Sequence, residues 1–137
     1  MGGKESDMPK LSVEDTGQIS HVGNYGAGNT SAYYRCVTRN IAVQSGVDWK
    51  LLAAEAMLVH ELVHHRQCLD GRWTERSGGP RDTCLTETPA YQAQLAHVER
   101  GYAARPASER ATWAKWLEDY RAYVERAIRW HREIGGC

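Results

Sequence analysis

The strongest pattern of apolar positions in the sequence lies between residues 48 and 67. These positions recur every three or four residues, the spacing that places side chains on one face of a helix. The apolar members are Trp49, Leu52, Ala53, Ala56, Val59 and Val63, and the polar residues His60 and Gln67 share their spacing. Asp48 has the side chain of an N-cap, and Gly71 suits a helix stop. The pattern therefore predicts a helix across the middle of the chain, between these two residues.

Two further helices are predicted after the central one. Pro89 fits the first turn of a helix, with Thr86 or Thr88 as its N-cap, and residues 70–84 before it are expected to form a loop. Ser108 suits the N-cap of a long last helix, because the chain that follows it carries one apolar stripe. The stripe consists of Trp113, Leu117, Tyr120, Val124, Ala127, Ile128 and Ile134.

The N-terminal third shows weaker patterns. Residues 1–17 are polar and are predicted to form a disordered or tag-like arm, and residues 18–22 alternate weakly, as a short strand does. Residues 31–39 are ambiguous between helix and strand, whereas residues 40–44 predict a β-strand. We interpret residues 18–137 as one compact domain of the α+β class, mainly helical, with a short antiparallel strand region before the central helix and a long C-terminal helix.

Composition and charge argue against several classes of protein. The chain of 137 residues has a formal net charge of zero, so it lacks the basic footprint of a nucleic-acid-binding protein and the polybasic patch of a membrane-surface protein. No apolar run approaches the roughly 20 residues of a membrane span, and the N-terminus has no apolar signal core. If the protein is exported, we expect that a leader has been removed or that the domain belongs to a longer chain.

The four cysteines favour two disulfide bonds in a domain of this size. Cys68 and Cys84 are the expected pair because they bracket the predicted loop, and closing about 15 residues stabilises by roughly 3 kcal/mol in the chain-entropy model. Cys36 would then pair with Cys137. Disulfides indicate a secreted or periplasmic protein, and the alternative is four reduced thiols in the cytosol.

Inside the predicted central helix, residues 60–64 are His-Glu-Leu-Val-His. Residues i and i+4 lie one above the other on one helix face, so His60 and His64 can both bind one metal ion. Glu61 lies about 100° round the helix, where it can take a proton from a metal-bound water without being a ligand itself. This is the arrangement of zinc metallopeptidases, so the sequence predicts a Zn²⁺ site with Glu61 as general base.

Catalytic zinc sites use a third protein ligand, and Glu87 is the predicted one. It shares a helix face with Tyr91, with Gln94 or Leu95, and with Val98. That face is apolar enough to pack inward, and a buried carboxylate is costly unless it is paired or bound to metal. The alternative for Glu87 is a helix-start carboxylate that the helix dipole favours.

Other groups compete for roles at such a site. The competing third ligands are His97, Glu99, His131 and Asp82. His97 is the strongest of them, and His21 is a further candidate ligand in a polar stretch. His65 points about 100° away from His64 and is expected outside the ligand set, while Gln67 could help to fix a ligand. The candidates for stabilising the oxyanion or supporting the ligands are Tyr91, His65, His97 and His131.

The motif at residues 60–64, followed by Glu87 before Ala90-Tyr91, resembles the gluzincin branch of the zincin-fold metallopeptidases. More narrowly it is similar to small bacterial minimal gluzincins and effector-type metallopeptidase domains. The resemblance covers residues 41–98 and departs from the family at Tyr91, where larger gluzincins carry an Asp four residues after the Glu. It implies a zincin-like fold in which the strand at residues 41–44 offers a free edge to an extended peptide.

We therefore expect a zinc metalloendopeptidase that hydrolyses a peptide or protein substrate. The effector-type resemblance implies a bacterial toxin, with a secretion-system carrier and an immunity or inhibitor protein as candidate partners. Two alternatives stay open from the sequence. One is a zinc hydrolase of cell-wall amide links, and the other is a non-catalytic interaction domain that binds zinc.

Overall fold

The computed structural model of the protein describes residues 7–14, 32–45, 51–72 and 79–137. In these ranges three short strands precede three helices. The strands are β1 (Lys10–Glu14), β2 (Ala32–Arg35) and β3 (Asn40–Gln44), and the helices are α1 (Leu52–Leu69), α2 (Pro80–Ala103) and α3 (Ala107–Gly135). The prediction of a mainly helical α+β fold with a long C-terminal helix is confirmed.

The strands form one sheet in the order β1-β3-β2. β3 pairs antiparallel with β2 and parallel with β1, so both of its edges are occupied. The prediction of a strand at residues 40–44 is confirmed, and the expectation that this strand offers a free edge to a peptide is wrong. Residues 36–39 form the turn between β2 and β3, and Arg39 closes the turn with a φ of 53°.

Residues 10–14 of the predicted disordered arm, residues 1–17, form the strand β1. It pairs along its whole length with β3. Leu11 and Val13 are 65% and 68% exposed, so backbone pairing and the ion pair of Glu14 with Arg35 at 2.7 Å hold the strand. Leu11 and Val13 alternate with Ser12 and Glu14, as in a strand, but here the apolar side chains are the exposed ones. The predicted strand at residues 18–22 lies outside the described residues.

Helix α1 matches the predicted central helix but starts later. It begins at Leu52 with Leu51 in the cap position, and the predicted cap, Asp48, lies outside the described residues. At the other end Gly71 adopts a φ of 74°, and its N–H donates to the Cys68 carbonyl oxygen at 3.1 Å. Gly71 stops the helix as predicted, because the left-handed conformation costs a glycine little.

Helix α2 begins at Pro80, so the predicted start near Thr86 is wrong. Pro80 occupies the beginning of the helix, where its missing N–H removes no hydrogen bond. The Thr86 hydroxyl donates to the Asp82 carbonyl oxygen at 3.0 Å inside the helix instead of capping it. Pro89 consequently lies in the helix interior rather than in its first turn.

Helix α3 packs along α2 and buries the middle of its predicted apolar stripe. It begins at Ala107, so the predicted cap, Ser108, lies inside the first turn. Trp113 and Ile134, near the two ends of the stripe, are about half exposed. The buried members are Leu117, Val124 and Ala127.

Helix α1 is the central layer of the molecule. On one side Leu58 and Cys68 pack against a cluster of buried strand residues. On the other side Ala56 meets Val98 of α2 and Leu117 of α3. Within the described ranges, none of the helices combines the length and the hydropathy that a bilayer crossing requires.

All four cysteines form disulfide bonds, but not in the predicted pairing. Cys36 is bonded to Cys68, and Cys84 is bonded to Cys137, so the expected Cys68–Cys84 and Cys36–Cys137 pairs are wrong. Cys68 packs towards the sheet from the end of α1, whereas Cys84 is buried inside α2. A Cβ on Gly135 would overlap Cys84 and the backbone at the start of α2, so this glycine permits α3 to approach α2 closely at the bond.

Candidate metal centre

The side chains of His60, His64 and Glu87 converge between α1 and α2. Their ligand atoms all lie within 4.8 Å of one another. Nε2 of His60 is 3.1 Å from Oε1 of Glu87, and Nε2 of His64 contacts the same oxygen. Both histidines are buried. The structure thus brings together the three ligands predicted from the sequence, two from one helix face and one from the next helix.

Two buried glutamines hold the other nitrogen of each imidazole. Nδ1 of His60 is 2.8 Å from Oε1 of Gln94, and Nδ1 of His64 is 2.9 Å from Oε1 of Gln67. An amide oxygen can only accept, so both Nδ1 atoms are donors. Each Nε2 is therefore left to bind either a proton or a metal ion.

Further bonds hold the far ends of both amides. Nε2 of Gln67 donates to the carbonyl oxygen of Thr86 at 3.0 Å, and Nε2 of Gln94 donates to the hydroxyl oxygen of Tyr120 at 2.7 Å. A carbonyl oxygen cannot donate, so the Gln67 amide has one possible orientation. The neighbours of both imidazoles are arranged to present Nε2 at the same point.

This donor set fits a zinc ion. Two neutral imidazole nitrogens and one carboxylate form an attested catalytic zinc set, with the remaining position left for water or substrate. Ligating histidines commonly donate their second N–H to a fixed acceptor, as His60 and His64 do here. Among the described residues this trio is the group of His, Cys, Asp and Glu side chains that could hold a metal ion.

The charges of the trio support one another in the absence of a metal. Burial lowers the pKa of His64, but the hydrogen bond and the negative charge of Glu87 outweigh burial and raise that pKa to about 9. The pKa of His60 is raised in the same way. Burial raises the pKa of Glu87, but its bonds to the two histidines hold it well below its usual range. A proton and a metal ion would therefore compete for the same place.

Glu61 lies beside the trio without belonging to it. Its side chain is buried, and burial raises its pKa to about 7 against the opposing effect of His60 and His64. A hydrogen bond from the backbone of Tyr34 in β2 reaches the carboxylate. A carboxyl group of this pKa can accept a proton near neutral pH, which is the property of a general base.

His131 and Tyr91 are the two auxiliary candidates that lie at the centre. Nε2 of His131 is 3.9 Å from Oε2 of Glu87, on the carboxylate oxygen that does not face the two α1 histidines. The Tyr91 ring packs edge-on against His60, with centroids 4.6 Å apart, and the Tyr91 side chain hydrogen-bonds to Tyr123. His131 thus lies beside the ligand carboxylate, and Tyr91 packs on a ligand imidazole.

The remaining candidates from the sequence lie elsewhere. His97 pairs with Glu55 at 3.3 Å on the surface, so the strongest competing ligand is not at the centre. Glu99 pairs with Arg121 at 2.8 Å. Asp82 is exposed in the first turn of α2. His21 lies outside the described residues.

His65 is a structural connection rather than a ligand. Its Nε2 donates to the carbonyl oxygen of Asp7, so its Nδ1 accepts a hydrogen bond from the Tyr34 hydroxyl at 2.7 Å. The residue ties α1 to β2 and to the segment before β1. Its predicted place outside the ligand set is what the structure shows.

Gln94 and Tyr120 were missed as site residues by the sequence analysis. Gln94 follows Glu87 by seven residues, two helical turns, and so lies on the same face. That spacing was a usable signal, because a buried amide needs hydrogen-bond partners. Tyr120 gave no signal of its own, since its position in an apolar stripe is explained by packing alone.

No protein-family model matches the chain, and neither a curated protein nor a solved structure matches it. The resemblance to gluzincins therefore rests on residues 60–64 and Glu87 and on their geometry.

Proposed function

We propose that the protein is a zinc metallopeptidase. The observation that carries the proposal is the convergence of His60, His64 and Glu87 beside the buried carboxyl group of Glu61. Burying Glu61 costs free energy, because its neighbours only partly offset the burial. A metal site that served stability alone would gain nothing from this cost, whereas a hydrolytic site needs a base there.

The roles of the side chains follow from their positions. His60, His64 and Glu87 would hold Zn²⁺, which when bound lowers the pKa of water towards 7 and polarises the scissile carbonyl group. Glu61 accepts the proton of the attacking water and passes it to the leaving amine. His131, beside Glu87, donates a hydrogen bond to the oxygen on which negative charge develops.

The setting of this activity is also a proposal. The two disulfide bonds are consistent with an extracellular location. We infer a secreted or periplasmic peptidase with a peptide or protein substrate. A bacterial effector role, with an inhibitor protein to protect the producing cell, is the specific version of this proposal.

His131 also favours a second candidate function. A fourth protein ligand closes a zinc site and makes it structural, and Nε2 of His131 is 3.9 Å from the Glu87 carboxylate. In that case the protein would be an interaction domain that binds zinc without hydrolysing anything. Zinc affinity of His131→Ala separates the two, because a lost ligand weakens binding as strongly as Glu87→Ala does.

The test combines metal content with hydrolysis. Zinc is measured by elemental analysis in the wild type, Glu61→Gln and Glu87→Ala, and each protein is incubated with a peptide library whose products are identified by mass spectrometry. We expect one zinc per chain in the wild type and Glu61→Gln, and a large loss of zinc in Glu87→Ala. Hydrolysis should fall by about 10² to 10⁴ in Glu61→Gln, the usual contribution of a general base.

Each outcome has a different meaning. Full hydrolysis by zinc-loaded Glu61→Gln would contradict the proposed base. Zinc retained by Glu87→Ala would contradict the proposed ligand set. Zinc bound as expected, with no hydrolysis of peptides or of cell-wall amide links, would favour the interaction domain. Glu99→Ala serves as the control, since this carboxylate lies on the surface with Arg121.

A further inference from the structure

Two buried glutamines, Gln67 and Gln94, lie behind the ligand histidines. Gln94 is 1% exposed and Gln67 is 4% exposed, and a buried amide costs free energy unless both its oxygen and its nitrogen are hydrogen-bonded. Each amide here is bonded at both ends, with its oxygen on an imidazole Nδ1. The two networks meet at the metal centre, where both imidazoles contact Glu87.

The two networks differ in their far ends. The Gln67 amide ends on the Thr86 carbonyl oxygen, which can only accept. The Gln94 amide ends on the Tyr120 hydroxyl, which can accept or donate when it rotates. Position 67 therefore requires a side chain that accepts and donates, whereas position 94 requires only an acceptor for His60.

We propose that Gln94 and Gln67 are positioning residues that set the zinc affinity by fixing the tautomer and orientation of His60 and His64. The inference rests on the proposed zinc site but not on peptidase activity. Both acceptors behind the ligand histidines are neutral amides, so they add no negative charge to the centre. A carboxylate that accepts from Nδ1 makes its histidine a stronger donor to the metal where its other oxygen also finds a hydrogen-bond donor.

Because the two amides end on different partners, the same Gln→Glu change should have opposite effects on zinc affinity at positions 94 and 67. At position 94 a carboxylate accepts from His60, and the Tyr120 hydroxyl turns to donate to it. Gln94→Glu should therefore bind zinc at least as tightly as the wild type. At position 67 a carboxylate would face the Thr86 carbonyl oxygen with no proton between them, so Gln67→Glu should bind more weakly.

The experiment measures zinc affinity of the full chain by competition with a chromogenic chelator. Gln94→Met and Gln67→Met keep the length of the side chain and remove the acceptor, and each should weaken binding by about 10- to 100-fold. Gln92→Met and Gln92→Glu are the matched controls, because Gln92 lies on the exposed face of α2. They should bind zinc as the wild type does.

A second measurement tests the tautomers directly. Long-range ¹H–¹⁵N correlation spectra of the zinc-loaded wild type should show His60 and His64 protonated at Nδ1 and coordinated through Nε2. Gln94→Glu should keep this pattern and Gln94→Met should lose the slowly exchanging Nδ1 proton of His60.

The outcomes separate this inference from the proposed function. A wild type that binds no zinc would remove the site and the inference together. A wild type that binds zinc, with both Met variants within about threefold of the Gln92 controls, would overturn the inference and leave the site intact. Equal affinities of Gln94→Glu and Gln67→Glu would overturn the assigned difference between the two networks.

Discussion

At the scale of single residues, the metal centre is also a proton-binding site. In the metal-free protein His64 has a pKa of about 9, since Glu87 stabilises its charged form. Glu61 has a pKa of about 7, because burial favours its neutral form. Both groups hold a proton more strongly in the folded chain than in the unfolded chain. The stability of the protein must therefore depend on pH, in a direction that zinc can change.

We expect Glu61 and His64 to make the metal-free protein lose stability as pH rises from about 4.5 to about 9. Burial lowers the pKa of His131, so this residue opposes the loss, but only below its unfolded value of about 6.5. For Glu61 the loss runs from its unfolded value through a pKa of about 7. For His64 the stabilisation is complete below its unfolded value of about 6.5 and is lost as pH rises through about 9. With excess zinc the added stability should instead grow with pH, because the ligands bind metal only after losing protons.

Melting temperatures between pH 5 and pH 9.5, with chelator and with zinc, check this expectation. Glu87→Gln is the control, since it removes the charge that raises the pKa of His64. Its metal-free melting temperature should depend less on pH. A wild type whose metal-free stability rose through this range would show that the proton-binding account is wrong.

The residues of the centre that lie on one helix were predictable from the sequence. His60, Glu61 and His64 lie within five positions, and helical geometry alone relates them. Glu87 was predictable because it lies on an apolar helix face, which carries its carboxylate into the interior. The roles of Gln94 and Tyr120 depend on how α2 and α3 pack, which no local pattern encodes.

At the scale of elements, two errors of the sequence analysis share one cause. The start of α2 was placed near Pro89, as if proline could stand only in a first turn. The helix passes through Pro89 because burial of its inner face stabilises it by more than the one lost hydrogen bond costs. The residues buried on that face include Cys84, Tyr91, Gln94 and Val98. The wrong start put Cys84 in a loop beside Cys68 and so gave the wrong disulfide pairing.

Each disulfide bond joins elements that are distant along the chain, with separations of 32 and 53 residues. In the chain-entropy model such bonds stabilise by about 4 kcal/mol, and measured values commonly lie near 2 to 4 kcal/mol. We expect the double variants Cys36→Ser/Cys68→Ser and Cys84→Ser/Cys137→Ser each to lower the free energy of unfolding by about 2 to 4 kcal/mol.

Urea denaturation of both double variants under non-reducing conditions measures these losses. The swapped variants, Cys68→Ser/Cys84→Ser and Cys36→Ser/Cys137→Ser, are the informative comparison. Each breaks both native bonds and should lose more stability than either native-pair variant. Swapped variants that lost less stability than the native-pair variants would mean that the bonds are paired as predicted from the sequence.

At the scale of the whole molecule, stability is distributed unevenly. The centre joins α1 to α2, and these helices also bury the apolar clusters that they form with α3. β1 lies at one edge of the sheet with Leu11 and Val13 exposed. A strand held mainly by its backbone opens at low cost, whereas packed helices open only with the rest of the fold.

Hydrogen exchange should reveal this division. We expect the amides of β1 to exchange well before those of α1 and α2. Zinc should slow exchange in α1 and α2, which carry the ligands, and leave β1 unchanged, because ligand binding protects the parts that must be folded to bind. Equal protection of β1 by zinc would indicate that the strand and the centre open as one unit.

The close approach at Gly135 has an evolutionary consequence. The glycine is required only because Cys84 and the start of α2 stand where a Cβ would be. In any lineage that shares this fold, Gly135 should be kept even where the Cys84–Cys137 bond is lost, because the Pro80 carbonyl oxygen and the Cβ of residue 84 stand in the way of a Cβ. Two spacings at the metal centre are further markers of the fold: Gln67 follows His64 by three residues, and Gln94 follows Glu87 by seven. Distant relatives would then be recognised by this spaced combination sooner than by overall identity.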